Sequence, residues 1–97
     1  DLNEKESQLD ILAHLDVVPA GEGWKETEPF EPVVKGDKLF GRGTADDKGP
    51  AVAALYAMRA VKELGIPLKK NARLILGTDE ECGSSDIAHY YAIEKEA

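Results

Sequence analysis

Cysteine is almost absent from this sequence: Cys82 stands alone among 97 residues. No internal disulfide can form, which excludes a disulfide-stapled secreted scaffold and fits a reducing compartment, with the cytoplasm as the default. We read Cys82 itself as a small, buried or half-buried residue. Long hydrophobic runs are missing too. Nothing approaches the ~18 apolar residues of a membrane-crossing helix, and no charged-then-apolar signal segment opens the chain, so no membrane partner is expected. Basic charge is short: 12 Lys and Arg against 19 Asp and Glu, a net charge of −7. Phosphate recognition needs clustered cations, and only Lys69-Lys70 with Arg73 comes near, so no nucleic-acid partner is expected. A phosphate-binding G-K-[ST] loop is lacking, and Gly41-Arg42-Gly43 does not continue into G-x-G-x-x-G, which disfavours magnesium-dependent phosphoryl transfer.

What remains is ordinary globular composition, 42% apolar and 32% charged, in a chain long enough for one domain with a modest core. Ile11 to Val18 is nearly continuous in apolar character and predicts a strand buried on both faces of a parallel sheet. Pro19 to Pro32 reads as a surface loop. Residues 32–35 and 38–40 flank the turn dipeptide Gly36-Asp37 and predict a short hairpin. Gly49-Pro50 opens the strongest helix, with Val52, Leu55, Met58, Val61 and Leu64 along one face, and Gly65 and Pro67 close it. Residues 72–77 predict a second buried strand. Ser84-Ser85-Asp86 can cap a last helix carrying Ile87, Tyr90, Tyr91 and Ile93. The expected fold is α/β, a mainly parallel sheet with flanking helices and a short β-hairpin.

Polar residues occupy places that core residues should fill. His14 and Asp16 interrupt the first apolar run late in the strand, and its period of two is expected to put them on one face. Asp79-Glu80-Glu81 follows Leu74-Ile75-Leu76 at the end of the second strand. Both groups therefore fall at carboxyl ends of parallel strands, where ligands bind in open α/β sheets. Burying an imidazole and carboxylates is unfavourable by several kcal/mol unless they are paired or bound to a cation, and a metal ion is the simplest compensation. A third group, Asp46-Asp47, precedes the helix. One acid there would serve the helix dipole. Two, framed by Gly41, Gly43 and Gly49, suggest an unusual backbone turning one carboxylate inward.

His14-Leu15-Asp16-Val17-Val18-Pro19, Gly41-Arg42-Gly43-Thr44-Ala45-Asp46-Asp47-Lys48-Gly49-Pro50 and Thr78-Asp79-Glu80-Glu81-Cys82-Gly83 resemble, in order, the three signatures of the co-catalytic zinc peptidase family of glutamate carboxypeptidase, aminoacylase and carnosinase. The segment spacing is nearest to that of a bacterial dipeptidase. The resemblance runs from about Ile11 onward. It implies part of a zinc-peptidase catalytic domain over residues 1–97, without the inserted dimerisation domain. It further implies that His14 ligates one zinc ion, Asp46 bridges both ions, Glu81 ligates the second, Glu80 is the general base, and Asp16 orients the His14 ring. Cobalt or manganese are plausible substitutes for zinc. The Asp46-Asp47 peptide bond is expected to be cis, and the implied substrate is a dipeptide or a small N-acyl amino acid.

The family's two other ligands, an acid beyond the Glu pair and a distant His, do not fall within these 97 residues. Each ion would have two protein ligands here, where catalytic zinc usually has three. The chain is thus expected to be a fragment, inactive alone. The competing expectation is a non-catalytic α/β remnant, or a piece that self-associates through exposed sheet edges. Asp86 and His89, three residues apart on the last helix, read as surface polar residues.

Overall fold

Two strands far apart in sequence make the central pairing. The computed structural model describes residues 1–97, and in it β1 (Ser7–His14) runs parallel to a later strand spanning Asn71–Gly77, in register from Asp10 opposite Arg73 to His14 opposite Gly77. Parallel strands need a long crossover. Here it comprises a surface loop, the antiparallel hairpin β2 (Val33–Lys35) and β3 (Lys38–Phe40), and helix α1 (Gly49–Glu63), before the chain returns as β4 (Asn71–Gly77). Helix α2 (Ser85–Ile93) follows. The expected α/β class, parallel pairing, hairpin and both helices are all present, with the hairpin forming its own small sheet.

The first strand lies four residues earlier than its apolar run predicts. Leu15 N–H still donates to Gly77 O at 2.8 Å, but β4 ends at that glycine and the chain turns away, so Asp16, Val17 and Val18 have no strand to pair with. Nor is β1 buried on both faces: Leu9 and Leu12 are 53% and 51% exposed. Its amino end is held by Asn71, a residue the sequence did not single out. Buried at 3% exposure, the Asn71 side chain accepts from Leu2 N–H and Asn3 N–H and donates to Asp1 and to Ser7 Oγ. All its hydrogen-bonding capacity is used, as burial of an amide requires.

Helix α1 starts with Pro50 in its first turn, where a missing N–H does no harm. It ends in a paired closure: Gly65 N–H donates to Lys62 O and Ile66 N–H to Val61 O, with Gly65 at φ +64°. The face it turns inward is Ala51, Ala54, Met58 and Val61. Of the predicted apolar stripe, Val52, Leu55 and Leu64 point outward and are at least half exposed. Alanines at 51 and 54 let the helix approach closely, and helical periodicity alone does not choose between two adjoining apolar stripes.

Helix α2 is capped differently from expectation. Ser84 makes no side-chain cap; the Asp79 carboxylate instead accepts from Ser85 N–H at 3.0 Å and from its hydroxyl at 2.6 Å. The helix is tied to the sheet by Tyr91, whose hydroxyl donates to Asp10 Oδ2 at 2.9 Å. Burial and this acid together push the Tyr91 pKa up to about 12. Cys82, expected to be buried or half-buried, is exposed on the turn before α2. The whole is a slab of 48 × 34 × 13 Å. Its radius of gyration is 16.3 Å, against about 13 Å for a compact domain of this length. No helix is long and apolar enough to cross a membrane.

Candidate metal centre

The last residue of β1 is the hub of the site. His14 is 8% exposed, and its two ring nitrogens face different chemistry. Nδ1 lies 2.9 Å from the backbone oxygen of Asp16 and 3.3 Å from its carboxylate. A carbonyl can only accept, so Nδ1 carries a proton, and the nitrogen left to bind something else is Nε2. Nε2 faces acids alone: Asp46 Oδ1 at 2.9 Å, Glu80 Oε2 at 3.6 Å and Glu81 Oε1 at 4.0 Å. Burial pulls the His14 pKa down, but the bond to Asp46, the bond to the Asp16 carbonyl and the charges of Glu80 and Asp46 outweigh it and raise the value to about 8. The Nε2 proton stands where a cation would serve the same acids.

Asp16 lies beyond the strand, so its nearness to His14 does not come from strand alternation. The chain bends after His14 and brings Asp16 across to the end of β4. There its two carboxylate oxygens accept from Glu80 N–H at 3.2 Å and Glu81 N–H at 3.0 Å. Burial pushes the Asp16 carboxyl up. The N–H groups of Glu81 and Glu80, with the His14 charge, more than offset this and hold it below its ordinary value. One carboxylate thus links the imidazole to the acidic turn Glu80–Cys82.

Glu81 is the more shielded of the two glutamates, at 21% side-chain exposure against 52% for Glu80. Burial first, then the charges of Glu80 and Asp46, push its pKa up. No lysine or arginine forms an ion pair with Asp16, Asp46, Glu80 or Glu81; their only such partner is His14. Donor atoms of His14, Glu80 and Glu81 all lie within 4.8 Å of one another. An imidazole nitrogen converging with carboxylates in uncompensated negative surroundings fits a divalent cation.

Asp46 reaches the hub from a separate segment. Thr44–Lys48 forms a wide turn leading into α1, with Asp46 and Asp47 in non-helical conformations and the peptide bond between them cis. Gly43 permits the turn: it has φ +83°, and a Cβ there would lie 2.7 Å from Val17 Cγ1. Asp47, which sequence reasoning left without a role, points its Oδ2 at the backbone N–H of His14, 3.0 Å away. Asp86, read as a surface residue, accepts from Thr78 N–H at 2.6 Å and so fixes the end of β4. Adjacent or nearby acids in a sequence carry no signal of which one turns toward a backbone amide. His89 is exposed and stands apart.

Residues 11–97 match the peptidase family described as M20/M25/M40. The chain belongs to that family. Among its relatives are proteins named as putative dipeptidases. One from Staphylococcus saprophyticus is 48% identical over 85 residues, covering 88% of this chain and 18% of the relative. YtjP of Bacillus subtilis is 41% identical over 92 residues, covering 95% and 20%. One from Staphylococcus aureus strain USA300 is 47% identical over 87 residues, covering 90% and 18%. The chain therefore spans about a fifth of the length of the curated relatives it matches. The family is generally metal-dependent, and His14, Glu80 and Glu81 form a group able to hold a metal ion.

Proposed function

We infer that residues 1–97 are part of the catalytic domain of a zinc-dependent peptide hydrolase acting on dipeptides or small N-acyl amino acids. The observation that carries this reading is the His14 imidazole, fixed at Nδ1 by Asp16 and presenting Nε2 to three acids from two other segments. His14 and Asp46 would hold one zinc ion, with Asp46 shared and Glu81 holding a second; cobalt or manganese would be tolerated by the same donors. When bound, the ions supply an acidified water and polarisation of the scissile carbonyl.

The chain's own residues do the rest. Asp16 keeps the proton on Nδ1 and thereby leaves the Nε2 lone pair for ligation. Glu81, the less exposed acid, serves as ligand. Glu80 stays more open and is suited to take a proton from water and hand it to the leaving amine. The bonds that Asp16 accepts from both their N–H groups hold the two glutamates side by side, as divergent tasks would need. An exposed free thiol at Cys82 is compatible with a reducing, cytoplasmic setting.

These residues supply each zinc ion with two ligands, so the chain alone binds metal incompletely and turns over peptide poorly or not at all. Two measurements test the reading. Cobalt titration followed by visible absorption should detect a site that His14→Ala removes. Dipeptide hydrolysis by the purified chain should be negligible; turnover that Glu80→Gln abolishes would show that the site is complete as it stands. A second reading, a non-catalytic α/β piece that self-associates, is favoured by the exposed Leu9 and Leu12 on β1 and Val34 and Leu39 on the hairpin. Size-exclusion chromatography separates the two, since oligomers indifferent to zinc would favour the second and zinc-dependent compaction the first.

A further inference from the structure

One acid at the site is spent on the backbone rather than on the cluster. Amides along a strand alternate between its two edges. Leu15 N–H donates to Gly77 O, on the β4 side, so the His14 N–H points to the opposite edge, which no strand covers. An edge amide there would ordinarily go to water or to another strand. Instead Asp47 Oδ2 accepts it at 3.0 Å. The next residue back, Asp46, places Oδ1 2.9 Å from Nε2 of the same histidine. Two neighbouring carboxylates therefore grip His14, one at the backbone and one at the ring.

We propose that Asp47 is a positioning residue: by accepting the His14 N–H it sets the distance between the Thr44–Lys48 turn and the end of β1, and so keeps the Asp46 carboxylate in reach of the His14 imidazole. The proposal rests on the metal-binding reading of His14 and Asp46. What it requires of residue 47 is a short arm and an acceptor oxygen, because an amide donor is satisfied by a carboxylate or a carboxamide alike. Alanine would leave the N–H without its partner. Glutamate would keep charge and acceptor but lengthen the arm by a methylene and move the turn outward. A residue that merely plugged the strand edge would affect folding while leaving the metal affinity of folded molecules untouched.

The test compares the whole chain as wild type, Asp47→Asn, Asp47→Ala and Asp47→Glu. Hydrogen exchange of the His14 amide is followed by NMR without metal, and cobalt affinity by visible absorption. Asp47→Ala should exchange the His14 amide at least about tenfold faster while β4 amides keep their protection, and should weaken cobalt binding by about 10–100-fold, the usual effect of losing a residue that orients a ligand. Asp47→Asn should restore both to near wild type. Should Asp47→Ala not fold, Asp47→Glu decides, with cobalt weakened in a folded protein as the expected result. Wild-type cobalt affinity in either the Ala or the Glu variant would overturn the proposal, as would an Asn variant as weak as Ala. Absence of cobalt binding by the wild type would overturn the metal reading itself, a different failure from intact wild-type binding that residue 47 does not influence.

Discussion

The two ends of the β1–β4 pair are built from the same kinds of polar residue and come out opposite. At the amino end Asn71 is fully satisfied, and the charges around it are matched: Arg73 with Asp1, Lys70 and Lys95 with Glu6. At the carboxyl end Asp16, Asp46, Glu80 and Glu81 share a single histidine. Architecture accounts for the first end, since Asn71, Arg73, Lys70 and Lys95 each have a partner within the fold. It leaves the second with more negative charge than its one imidazole can balance. An end that folding alone would have neutralised, and did not, is where a cation belongs.

The sharpest way to break this contrast is at the hub. His14→Ala should lower cobalt or zinc affinity by more than about a hundredfold, measured by calorimetric titration, because on the proposed reading it removes a ligand rather than a supporting group. Asn71→Ala should do the reverse. It leaves the N–H groups of Leu2 and Asn3 without their acceptor, so urea unfolding should show a loss of about 1–3 kcal/mol, with the metal affinity of the folded protein unchanged. If Asn71→Ala weakened metal binding as much as His14→Ala does, the two ends would not be separable.

Smaller effects sharpen it further. Glu81→Gln removes a charge that Glu80 and Asp46 oppose, so the metal-free chain should unfold at slightly higher urea while its zinc affinity falls about tenfold. A uniform loss of both would mean that Glu81 is only structural. The pH dependence of Asp86 gives the mildest test. The hydrogen bond from Thr78 N–H, opposed by burial and aided by Ile87 N–H, holds this carboxyl below its ordinary 3.8. Its contribution to stability is therefore present above pH 3.8 and is lost as pH falls through the lower folded-state value. Unfolding midpoints measured from pH 5 downward should decline less steeply for Asp86→Asn.

Much of the fold could be read in advance where punctuation was chemical. Pro50, Gly65 and Gly36-Asp37 set the limits of α1 and the hairpin because each imposes a backbone shape that few alternatives share. The limits of β1 could not be read in that way. Leu15, Val17 and Val18 are as apolar as the residues before them, and what ends the strand is the departure of its partner at Gly77, a fact of tertiary structure. The site divides along the same line. His14, Asp16, Asp46, Glu80 and Glu81 stood out as polar groups in unsuitable places or within a family signature, and the fold brings them together. Asp47, Asp79 and Asp86 act on backbone amides of other segments, and acids on a turn look alike until the chain is folded.

The hydrogen bond from Glu81 N–H to Asp16 joins residues 65 apart in sequence. Closing a loop of that length carries an entropic penalty of about 4 kcal/mol before any local contact repays it. The part of the site that Asp16 forms with Glu80 and Glu81 therefore cannot exist in a chain that has formed its hairpin and α1 but has not yet laid β4 against β1, whereas the contacts of His14 with Asp46 and Asp47 span only 32 and 33 residues. Assembly of the acidic end is bound to the slowest, most non-local step of folding. A growing chain on the ribosome would complete the set of acids around His14 only once Glu81 had emerged.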